Sequence, residues 1–96
     1  MSQQDTDGKY AVNAEGTQWR VVDGEAVVVH LASSYYYGLN QTGTLVWSLM
    51  AAAPQSIAEL AGKVSATYNI TLERALADTA DVVRELASEG LIMEHA

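Results

Sequence analysis

Hydrophobic and polar positions follow a period of two in the first half of the chain and a helical period in the second. Trp19-Arg20-Val21-Val22 and Glu25-Ala26-Val27-Val28-Val29-His30-Leu31 flank Asp23-Gly24, and Asp-Gly between β-branched runs predicts a tight hairpin. A two-residue turn pairs Val22 with Glu25, Val21 with Ala26 and Trp19 with Val28, so Trp19, Val21, Ala26, Val28 and His30 share a face. The second strand is apolar on both faces, which predicts a central position. After a small polar turn at Ser33-Ser34, Tyr35 to Leu39 reads as a third strand. If that turn also has two residues, His30 lies opposite Tyr37 and Val28 opposite Leu39. Tyr37 and Leu39 then join Trp19, Val21 and Val28 on one side, and Tyr36 joins Val27, Val29 and Leu31 on the other. The third strand is left with an unpaired edge.

The period changes at Asn40, whose short polar side chain suits an N-cap. A first helix is predicted from Gln41 or Thr42 to Ala52, with Leu45, Val46, Leu49 and Met50 at core spacing, Trp47 beside them and Pro54 beyond its end. Gly43 in its first turn has poor helix propensity, which implies close packing or a tight entry. Ser56-Ile57-Ala58-Glu59 is a capping box opening a second helix, in which Ile57, Leu60, Ala61, Val64 and Tyr68 follow at helical spacing. Thr71 can cap a third helix running to about Ser88, with Leu72, Ala75, Leu76, Thr79, Val82, Val83 and Leu86 inward and Gly90 as its stop. Leu91-Ile92-Met93 is expected to pack back on the body. Residues 1–16 are polar and read as a flexible N-terminal arm, with residues 17–96 as a single domain.

Composition narrows the functional classes. A chain of 96 residues with 49% hydrophobic residues supports one modest core. It has no Cys, which removes disulfides, thiolate metal sites and a Cys nucleophile. His30 and His95 sit in a strand and a tail, and form no metal-ligand spacing. No apolar run reaches membrane-spanning length and the N-terminus lacks signal-peptide character, so the expectation is a cytoplasmic protein with no membrane partner. The net charge is -7, and the cations Lys9, Arg20, Lys63, Arg74 and Arg84 are scattered, a poor surface for nucleic acid. No Ser-His-acid order, phosphate loop or paired metal ligands points to an enzyme or a cofactor.

The resulting fold class is α+β, a winged helix-turn-helix with a three-stranded antiparallel sheet followed by three helices. Trp19-Arg20-Val21-Val22-Asp23-Gly24-Glu25-Ala26-Val27-Val28, Tyr36-Tyr37-Gly38-Leu39-Asn40-Gln41-Thr42-Gly43, Val46-Trp47, Ile57-Ala58-Glu59-Leu60 and Asp81-Val82-Val83-Arg84-Glu85-Leu86 with Gly90-Leu91-Ile92 together resemble the PqqD-like family. These are the small peptide chaperones also called RiPP recognition elements. The resemblance covers residues 18 to about 93, and its most specific parts are Tyr-Tyr-x-Leu-Asn-x-x-Gly-x-x-x-Trp and the closing Leu-x-x-x-Gly-Leu-Ile.

The resemblance implies a non-catalytic module that binds the leader of a ribosomally synthesised precursor peptide and presents the peptide to a maturation enzyme, whether a radical enzyme, a leader peptidase or a cyclase. In relatives the leader adds as a strand against the third strand, in the groove beside the third helix. Ser34, Tyr35, Tyr36, Tyr37 and Leu39 are the strand residues this transfers. Thr79, Val83, Arg84 and Ala87 are groove candidates chosen by helical spacing. Against this stand plainer roles: Tyr37 as sheet packing, Asn40 as a cap alone, Trp47 as core, Trp19 as a sheet anchor or a surface residue, and Arg84 as the partner of Asp81 or Glu89. The competing functional classes are a DNA-binding winged-helix regulator and a docking scaffold for a partner enzyme.

Overall fold

The computed structural model describes residues 8–95. The hairpin forms at the expected residues: β2 (Thr17–Val22) and β3 (Glu25–His30) are antiparallel with Val22 opposite Glu25, Val21 opposite Ala26 and Trp19 opposite Val28. Asp23 and Gly24 supply the positive φ values, 54° and 83°, that a turn matching the strand twist requires. β4 (Tyr35–Gly38) is the third strand of this sheet, in the order β2-β3-β4.

The second connection is longer than expected. His30 pairs with Tyr35 and Val28 with Tyr37, so Leu31, Ala32, Ser33 and Ser34 all belong to the turn. Ser34 adopts φ 64° and donates its N–H to the His30 carbonyl at 2.7 Å; it closes the turn and is not a strand residue. The register is thus offset by two residues from the two-residue-turn reading. Because side chains alternate, an offset of two leaves every face assignment intact: Val28 and Ala26 are fully buried, and Tyr37 packs against the same core. Trp19 sits at the rim of this face, 38% exposed, its ring edge-on to Trp47 with centroids 6.0 Å apart. It is a sheet anchor that stays partly wet.

Three capped helices follow. Asn40 Oδ1 accepts the Gly43 N–H at 2.8 Å and opens α1 (Gln41–Ala52), from which Val46, Trp47 and Met50 are buried. In α2 (Ile57–Tyr68) both arms of the capping box are made: the Glu59 N–H donates to Ser56 Oγ at 3.0 Å, and the Ser56 N–H to Glu59 Oε1 at 2.9 Å. Asn69 ends α2 in the left-handed region at φ 55°, and Thr71 Oγ1 caps α3 (Leu72–Ser88) by accepting from the Arg74 N–H.

Ala75, Thr79, Val83 and Leu86 of α3 face the core with Leu60, Ala61 and Val64 of α2. Leu72 and Leu76, expected inward, are exposed, as is Tyr68. Tyr68 and Leu72 flank the α2–α3 turn, and Leu76 lies one helical turn into α3.

The polar composition of residues 1–16 points to a flexible arm, and here the structure differs. β1 (Lys9–Val12) lies between β5 (Gln55–Ser56) and β6 (Ile92–His95) in a second antiparallel sheet, order β5-β1-β6. Residues 1–7, the rest of the expected arm, lie outside the described residues. Gly90, at φ 77°, turns the chain out of α3, Leu91 and Ile92 bury as expected, and the Asn13 N–H donates to the Leu91 carbonyl at 2.9 Å. Lys9 reaches Glu59 at 3.0 Å, so β1 is also tied to the cap of α2. Hydrogen bonds from the Ser56 backbone and from Lys9 hold the Glu59 carboxyl below the usual glutamate range.

Candidate functional site: an open strand edge beside the third helix

The free edge of β4 follows from the ladder. The Leu39 N–H donates to the Ala26 carbonyl at 2.8 Å, which marks that pair as hydrogen-bonded. In an antiparallel ladder such pairs alternate, so Tyr37 and Tyr35 also turn their backbone groups toward β3. Tyr36 and Gly38 turn theirs away, to the edge that no strand covers among the described residues.

A groove of about 380 Å³ runs along this edge. Tyr36, Tyr37, Gly38, Leu39, Asn40 and Gly43 line one side, and Val82, Glu85, Leu86 and Glu89 of α3, with Leu91, line the other. One hydrogen bond spans it, from the Tyr37 hydroxyl to Glu89 Oε1 at 2.9 Å. That bond is the main reason the Tyr37 phenol is held above its ordinary range, since ionising it would set a phenolate against a carboxylate. At the other end Asn40 does two things: its Oδ1 caps α1, and its side chain lines the groove. Gly43 is there for space, because a Cβ would lie 3.3 Å from both Asn40 Oδ1 and Leu39 Cβ.

Of the strand residues read from sequence, Tyr36, Tyr37 and Leu39 line the groove, while Ser34 and Tyr35 do not. Tyr37 and Leu39 line it half-buried, Tyr36 stands 73% exposed between the groove and the outer sheet face, and Tyr35 is exposed at the strand start. The helix residues do not meet there. Thr79 and Val83 are 0% and 2% exposed in the core; Arg84 and Ala87 are exposed but line no part of the groove, and Arg84 pairs with Asp81 at 2.8 Å. Successive residues are about 100° apart around a helix, so the core stripe has two flanks. Arg84 and Ala87 lie on one, Val82, Glu85 and Glu89 on the other. Periodicity finds the stripe but cannot say which flank the strand edge meets; a pair of acids one turn apart, Glu85 and Glu89, beside half-buried Val82 was the signal available.

Among the described residues no group of three or more His, Cys, Asp or Glu could hold a metal ion, and no helix is long and apolar enough to cross a membrane. Both arginines of α3 are engaged on their own helix, Arg84 with Asp81 and Arg74 with Asp78 at 3.7 Å.

The family model described as coenzyme PQQ synthesis protein D (PqqD) matches residues 25–92. The chain belongs to the PqqD family. No curated protein matches it. Among solved structures, TbiB1 in complex with the TbiA(beta) leader peptide matches with a TM-score of 0.80 and 26% identity, over 90% of this chain and 98% of that one. Lasso peptide synthetase B1 complexed with the leader peptide matches with a TM-score of 0.76 and 21% identity, over 88% of this chain and 96% of that one, a likeness of fold. The PqqD match begins at β3 and ends in β6, so it takes in β4, α3 and the groove between them.

Proposed function

We propose that this chain binds the leader of a ribosomally synthesised precursor peptide as an added strand on β4 and presents the peptide to a maturation enzyme, without catalysing a reaction itself. The observation that carries this is the open edge of β4 with a lined groove beside it. Outward-facing backbone groups of Tyr36 and Gly38 give affinity that tolerates sequence, and the groove reads alternate side chains of the added strand. TbiB1, the similar protein at 26% identity, is complexed with a leader peptide, which supports the same use of the fold here. A nucleic-acid reading lacks a basic stripe, since the two arginines of α3 are paired with acids. The outer face of the β2-β3-β4 sheet exposes Val22 and Tyr36, with Leu31 exposed in the adjoining turn, an apolar surface suited to docking the maturation enzyme next to the bound leader.

The test is titration with the leader of a candidate precursor peptide, sought among short open reading frames neighbouring this gene. Tyr36→Pro removes one outward backbone donor without touching the β3 ladder. Affinity falls by at least about tenfold, the loss of one well-made hydrogen bond plus a steric block, while the circular dichroism spectrum and melting temperature stay near those of the wild type. Unchanged affinity in the folded variant rules out strand addition at this edge.

A further inference from the structure

The two ends of the groove differ in charge, and the difference predicts what the added strand carries. At the Asn40 end, the helix contributes Val82, and the nearby acids Asp78 and Asp81 are already neutralised by Arg74 and Arg84. At the Tyr37 end, Glu85 and Glu89 are exposed one helical turn apart and form no ion pair with any described Lys, Arg or His. They are the only charged side chains lining the groove among the described residues, and no Lys, Arg or His lines it. The Tyr37 hydroxyl holds Glu89 toward the strand edge. Like charges at this spacing on a helix repel each other, and a cation entering between them relieves that repulsion.

We infer that the peptide strand taken up by this groove carries an apolar side chain over Val82, Leu86 and Leu39 and, two residues away, a Lys or Arg seated against Glu85 and Glu89 beside Tyr37. This deepens the strand-addition reading and rests on it. The spacing follows from geometry. Val82 and Glu89 are about 10 Å apart along the helix axis. Side chains on one face of a strand repeat every ~6.6 Å, so two inward positions fit between the ends and three do not. The overall charge of -7 steers a cationic segment toward the protein and adds to the preference.

A phage-displayed library of random linear peptides, selected on the intact chain and on the Glu85→Gln/Glu89→Gln double variant, tests this. Both substitutions are on the surface, and circular dichroism confirms the fold. The wild type should enrich Lys or Arg two positions from Leu, Ile, Val or Met. The double variant should keep the apolar preference and lose the basic one. A selected peptide, synthesised with its Lys changed to Gln, should bind the wild type about fivefold more weakly and the double variant equally well.

Peptides that bind, are lost with Tyr36→Pro and show no basic preference, or whose basic preference survives in the double variant, overturn the charge inference and leave strand addition standing. Selection of no peptides, or of peptides indifferent to Tyr36→Pro, overturns both.

Discussion

The two sheets of this protein are built in opposite ways. The β2-β3-β4 sheet is made of neighbours in the chain joined by short turns, and it ends on an open edge. The β5-β1-β6 sheet joins segments from the start, middle and end of the chain: Lys9 pairs with both Ser56 and His95. The first presents a surface. The second closes the molecule, fixing the exit of α3 and the start of α2 to one strand. Non-local pairing costs more loop entropy than a hairpin and has to be repaid by burial, which Ile92 and Leu91 supply. Stability is therefore expected to depend on the closing sheet and the core, and binding on the open one.

Four substitutions divide these roles, taken from the largest expected effect to the smallest. Val83→Asp places an unpaired carboxylate in the core and costs about 4 kcal/mol or more, enough to unfold much of the protein. Val82→Asp, one residue away on the groove flank, leaves the fold standing and weakens leader binding. Urea unfolding paired with titration separates the two, and a folded Val83→Asp would mean that α3 sits in another orientation.

Ile92→Ala in the closing sheet should cost about 2 to 4 kcal/mol of stability, seen as a lower urea midpoint. Leader affinity, measured where the variant is still folded, should be unchanged. An affinity loss at full folding would show that the two sheets are coupled and break the division drawn here.

Glu59→Gln has the smallest effect. The folded carboxyl is held below its ordinary value of 4.5 by the Ser56 backbone and Lys9, so its contribution is present above that pH and is lost as the pH falls through the lower, folded value. Gln keeps the capping geometry but not the charge. The variant should melt slightly below wild type at neutral pH, and the gap should close on acidification below about pH 4. A gap that widens on acidification would contradict the assignment.

The contrast between the sheets also explains what could be read from the chain. The β2–β3 register follows from Asp23-Gly24 alone, and all three helix caps, Asn40, Ser56 and Thr71, sit where their side chains accept from the expected N–H groups. These are local rules. The second turn is two residues longer than its sequence suggests because a Ser in the left-handed region has no strong sequence mark, and an even offset leaves the faces unchanged. β1 is not legible in the sequence because Lys-Tyr-Ala-Val is too short to show a period and its partners lie far along the chain. The groove flank of α3 is hidden for the same reason: it is set by where β4 ends up, not by anything within α3. The site was thus half legible, its strand from sequence and its helix only from the fold.

The central claim is that the peptide completes β4, and backbone amide exchange at that strand tests it most directly. In the free protein, the N–H groups of Tyr36 and Gly38 face the open edge and should exchange fast, while those of Tyr37 and Leu39, bonded to β3, should be slow. Saturation with the leader should slow Tyr36 and Gly38 by at least about tenfold and leave the ladder amides little changed. Saturated binding with Tyr36 and Gly38 still exchanging at their free rates would place the peptide elsewhere and contradict the account.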